Sequence, residues 1–121
     1  MAPTIKIKPM SLAENRFCDG RKFWLTTSLI ERSKGLEPFD CPLAALMTGY
    51  EIWNGANTIQ GLAGHCRRVL DADFSHPIIL GADGSLMDGG HRIAKAILEG
   101  REFIKAVRFD ETPPHDGEEA E

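Results

Sequence analysis

The chain has 121 residues, 42% of them apolar and 26% charged, close to the averages of folded globular proteins. That length fits one domain with a core of its own, needing no structural disulfide or metal. A net charge of −4 and a pI near 5.5 disfavour sequence-independent nucleic-acid binding and nuclease activity, which call for a basic surface.

Cys18, Cys41 and Cys66 are widely spaced and form no CxxC pair, so reduced thiols are expected rather than a disulfide framework or a zinc knuckle. The N-terminus lacks the apolar run of a signal peptide, and no stretch approaches the roughly 20 apolar residues of a membrane span. The expectation is a cytoplasmic protein that does not enter membranes.

In chain order, residues 1–36 carry weak signals. Ile5 and Ile7 alternate with lysines as an edge strand would, and Asp19-Gly20 marks a turn. Ser28 with Glu31 makes a capping box for a short helix covered by Leu29 and Ile30 and stopped by Gly35. Residues 39–46 read as a strand entering a turn, with Pro42 confining it to an edge because proline cannot donate to a ladder. Residues 50–55 read as loop, with Trp53 pinning it to the core.

Asn57 opens the next helix with Gln60 as its capping-box partner. Ile59, Leu62, Ala63, Cys66, Val69 and Leu70 share one face at helical spacing and are the expected buried stripe. Gln60, Arg67 and Arg68 face away, and His65 lies at the margin. Gly61 and Gly64 each cost a helix about 1 kcal/mol relative to alanine. Asp71 and Asp73 end this helix, and Pro77 begins a hairpin.

Two apolar runs, 78–80 and 85–87, flank Asp83-Gly84, a strong hairpin signal. Asp88-Gly89-Gly90 leads directly into a second amphipathic helix. Ile93, Ala94, Ile97 and Leu98 form its buried stripe, Arg92, Lys95 and Glu99 project on the other side, and Gly100 stops it. Residues 103–109 alternate as a final strand, and the proline- and acid-rich residues beyond Thr112 read as a solvated, disordered tail. The fold class is a small α+β domain with a mixed sheet.

Glycines between a strand and a helix let the backbone approach a ligand with N–H groups pointing outward. Gly89, Gly90 and the following amides would then cradle a phosphate at the positive end of the helix dipole. His91 and Arg92 would add charge-assisted hydrogen bonds, and Lys95, one turn on, could reach a second phosphate. The simpler alternatives are a turn that only redirects the chain, and a solvated helix face for Lys95. Asp88 could orient His91 or hold magnesium through water, although its type favours a turn or helix cap. Asp88 and His91 are the catalytic candidates.

His65 and Arg68 could face this site from the earlier helix. Asp71 and Asp73 could supply a base or metal ligand, but acidic residues are common at helix ends without chemistry. Trp24 and Trp53 could stack on a base, though core packing is the usual role. The Met and Cys residues read as packing, and no His and Cys spacing supports a metal site.

The hairpin, the run Met87-Asp88-Gly89-Gly90-His91-Arg92 and the helix ending at Gly100 resemble the ParB/sulfiredoxin superfamily, whose signature is a strand followed by Asp-Gly-x-His-Arg at a helix start. The likeness is good over residues 74–109, weaker over 37–73, and does not cover 1–36. It implies a ParB-like domain over 37–110, preceded by an extension with a short helix over 1–36 and followed by the acidic tail 111–121. Members bind or use nucleotides, so ATP, ADP or CTP, with Mg2+, is the implied cofactor.

Sulfiredoxins place a nucleophilic cysteine where Gly90 stands here, so that chemistry is disfavoured. The free-serine kinase branch is closer in motif, but its catalytic carboxylate, supplied from before the hairpin, has no clear counterpart. The resulting expectation is a nucleotide- or phosphate-binding protein, acting as a small-molecule phosphotransferase or nucleotide hydrolase. The alternative is a non-catalytic nucleotide-sensing or protein-interaction module, and a homo-oligomer is compatible with either.

Overall fold

The computed structural model describes residues 2–8, 12–46, 48–49 and 56–120. Its centre is the run Ile78, Ile79 and Leu80, three consecutive buried residues that form strand β4 (Ile78–Leu80). A continuous apolar run suits a strand covered on both faces. Ile78 and Leu80 join Cys41, Leu43, Ile93, Ala96, Ile104 and Ala106 on one side, while Ile79 joins Trp24, Leu29, Met87, Val107 and Phe109 on the other.

The sheet around it contains β3 (Phe39–Pro42), β5 (Leu86–Asp88) and β6 (Phe103–Arg108), in the order β3-β6-β4-β5. It is mixed, with β4 and β6 parallel and the other two pairs antiparallel. β3 sits at an edge, as Pro42 requires. The β4–β5 hairpin turns through Gly84 at φ 86°, and Asp83 accepts hydrogen bonds from the Ser85 N–H and hydroxyl.

Helix α3 (Gly90–Leu98) covers one face and α1 (Thr26–Ser33) the other, with α2 (Ile59–Asp71) packed beside α3. The end of α3 has Gly100 at φ 71°, with Arg101 N–H donating to Ala96 O and Gly100 N–H to Ile97 O. This is the Schellman arrangement expected of a terminal glycine. The α+β class is therefore observed. Among the described residues no helix is long and apolar enough to cross a membrane.

Residues 12–36 pack against the central sheet. β1 (Arg16–Asp19) and β2 (Lys22–Leu25) form a hairpin about Asp19-Gly20, and Trp24 and Leu29 complete the second core. Residues 2–8 form no strand, so the edge strand expected at Ile5 and Ile7 is absent; Ile7 lies against α2 near Gly64 instead.

Residues 113–119 of the acidic tail also make contacts with β2 and α1. β7 (Gly117–Glu118) pairs with β2, the Trp24 indole donates to Pro113 O at 2.8 Å, and Asp116 accepts from Leu25 N–H and the Ser28 hydroxyl. Ser28 thus turns to Asp116 rather than capping its own helix, which begins after Leu25 without a side-chain cap of its own. Charge density suggested solvation, but one carboxylate supplying the missing cap and one indole needing an acceptor tie the segment down.

Helix α2 departs most from expectation. Its cap is Thr58, which accepts from Gly61 N–H, not Asn57. Its buried residues are Gly64, His65 and Val69, whereas Ile59, Leu62 and Leu70 are 90%, 52% and 64% exposed. The side that packs is the one bearing glycine and histidine, and most of the apolar stripe faces outward. The loop expected at 50–55, with Trp53, lies outside the described residues.

Candidate functional site

The chain passes from β5 to α3 through Gly89 at φ 122°, a conformation open to glycine. A Cβ there would lie 2.5 Å from Ile78 Cγ2, so close packing against β4 demands glycine as well. The first helical bond is Ile93 N–H to Gly89 O, leaving the amides of Gly90, His91 and Arg92 to lead the helix. Gly89, Gly90 and His91 border a broad cleft between α3, α2, α1 and the N-terminal segment.

The cleft is electrostatically distinct. Lys8, Arg16, Lys34, Arg67, Arg68 and Arg92 line it, six of the chain's fourteen lysines and arginines. Only five of the eighteen acidic residues do so, which makes this wall more positive than the rest of an acidic protein.

His91 does not contribute the fixed positive charge expected of it. Burial, reinforced by His65, Arg68 and Arg92, lowers its pKa to about 4, so it is neutral at pH 7. Its Nε2 lies 2.8 Å from His65 Nδ1, with the ring centroids 5.1 Å apart and 12° between the ring planes, so the rings meet edge to edge. The expectation that His65 faces the site from α2 is met. The hydrophobic pattern gave no sign of it, because a histidine occupies the packing face.

Arg92 is committed structurally. It donates to His76 O and Pro77 O at 2.6 and 2.8 Å and to Asp88 Oδ2 at 2.9 Å, clamping the strand before the hairpin to the helix after it. Asp88 ends β5 and holds Arg92; the helix cap is Gly89, so the expected Asp88 cap is not formed. Both side chains of this pair are about 15% exposed, and burial raises the Asp88 pKa although Arg92 pulls it down.

Lys95 is not a solvated face residue. Its ammonium donates to Leu70 O and Ala72 O at 3.0 and 2.8 Å, closing the C-terminus of α2 as a cation should. Asp73 accepts from the Ser75 N–H and hydroxyl, which lower its pKa and account for it as a turn residue. Trp24 is buried core, while Cys18 and Cys66 are exposed rather than packed.

Among the described residues no group of three or more His, Cys, Asp or Glu is arranged to hold a metal ion. Sequence reasoning missed Lys8 and Arg67 as cleft residues, and nothing local to either residue signals a shared wall. The chain matches no family model, no curated protein and no solved structure.

Proposed function

We propose that this protein binds a phosphate-bearing small molecule, a nucleotide in the first instance, at the start of α3. The observation that carries this reading is the Gly89–Gly90 junction, whose leading helix amides border a cleft richer in basic residues than the acidic chain as a whole. The resemblance of Asp88-Gly89-Gly90-His91-Arg92 to the ParB/sulfiredoxin motif also supports it.

Within this reading Arg92 and Asp88 hold the junction, Lys95 holds α2 beside it, and Arg68 and Lys8 supply charge. If a phosphoryl group is transferred or hydrolysed, most of the catalysis comes from positioning and charge neutralisation, and neutral His91 is the group able to accept a proton. Magnesium would enter with the nucleotide.

Thermal shift against ATP, ADP, CTP and GTP, with and without magnesium, tests the proposal. Stabilisation by at least one nucleotide, reduced in Arg68→Ala, is expected; no shift with any of them at millimolar concentration counts against it. Binding without turnover of any hydroxyl acceptor or water would assign a sensing role. The outward apolar stripe of α2, Ile59, Leu62 and Leu70, favours a protein-interaction role as the second reading.

A further inference from the structure

Resting on the phosphate-binding reading above, we propose that His65 and His91 act as one proton-sharing unit that takes up a single proton when an anion binds at the start of α3. His65 is the positioning residue of that unit. The two rings come from different helices yet meet at 2.8 Å through His65 Nδ1 and His91 Nε2, so one nitrogen donates and the other accepts. That contact accommodates one shared hydrogen in the neutral pair. An added proton resides on the pair as an imidazolium hydrogen-bonded to an imidazole, a stronger contact than the neutral one.

The surroundings decide when the proton arrives. Arg68 on α2 and Arg92 on α3 oppose a charge on His91, and burial opposes it further. Asp88 of β5 is tied to Arg92, while Arg67 and Asp71 of α2, Asp73 and His76 of the α2–β4 connection, Glu14 and Lys8 line the same cleft. Burial, Arg68 and Arg92 together oppose protonation of His91 while the site is empty. A dianion offsets Arg68 and Arg92, removes the penalty and draws one proton from solvent onto the pair. Neutral ligands would have no such effect.

Sulfate is the informative probe, because it remains a dianion throughout this pH range and any pH dependence of its affinity belongs to the protein. Its Kd should tighten as pH falls below 7, approaching about tenfold per pH unit, the limiting slope for one proton taken up per anion. His65→Asn retains a hydrogen-bonding group near the Nδ1 position but cannot share a proton, so His91 alone should take up the proton only at lower pH and sulfate affinity should change less steeply just below pH 7. Wild-type affinity that does not change with pH, or the same slope in His65→Asn, would overturn the proposal.

Ring 15N spectra of the ligand-free protein give a separate readout. The His91 titration should move in His65→Asn and rise in Arg68→Gln, and a His91 titration unchanged by His65→Asn would also overturn the pairing. Failure of sulfate, phosphate and nucleotide to bind at any pH would instead remove the anion-site reading and the anion-linked uptake that depends on it, leaving the spectra to judge proton sharing alone.

Discussion

Lys95 of α3 donates to the Leu70 and Ala72 carbonyls at the end of α2, which holds the C-terminal part of α2 along α3, where His65 meets His91. A residue chosen for phosphate contact thus serves the scaffold of the site. Lys95→Met should lower stability by about 1 kcal/mol through the orphaned carbonyls while leaving a nucleotide contact intact. Urea unfolding and nucleotide titration of the same variant check both halves. A large loss of affinity in a fully folded variant would return Lys95 to the ligand.

Gly89→Ala should destabilise by about 2–4 kcal/mol, since it adds a strained backbone to a clash with Ile78. Gly84→Ala, at φ 86° but with no neighbouring atom within 4 Å of the new Cβ, should cost less. Comparing the two urea midpoints isolates the close packing of the junction from the turn conformation.

His91 carries a pH signature. Its pKa lies near 4 in the folded chain and near 6.5 in the unfolded one. Above about pH 6.5 neither state binds the proton and no stability is lost. As pH falls through the window from 6.5 to 4, the unfolded chain takes up the proton first, so stability falls. Melting temperature should decline across this window, and less steeply in His91→Gln.

Asp116→Ala should cost about 1 kcal/mol, because the carboxylate caps α1 from a distant part of the chain. An unchanged urea midpoint would show that the tail contributes nothing to the helix start.

Much of the frame was legible in the chain. The run Ile78–Leu80, the Asp83-Gly84 turn and Gly100 each carry a local cause, and each placed its element. The site was partly legible, since Gly89 and Gly90 punctuate the strand-to-helix change. What could not be read is long-range pairing. Ser28 and Glu31 form a plausible capping box, but Asp116 reaches Ser28 from 88 residues away. Helix α2 offered an apolar stripe, yet small Gly64 and polar His65 pack inward because they fit Ile7 and His91. Arg92 looked like an anion ligand because nothing local reveals the carbonyls of His76 and Pro77 beside it. Loss of binding in Arg92→Ala is therefore ambiguous, since removing it leaves Asp88 buried without its partner.

The central claim, an anion site at the start of α3, is tested most directly by a 1H–15N chemical-shift titration with ADP at neutral pH. The account predicts saturable shifts concentrated at the amides of Gly89, Gly90 and His91, with His65 responding from α2. Saturable shifts confined to other surfaces, or none at millimolar ADP, would contradict it.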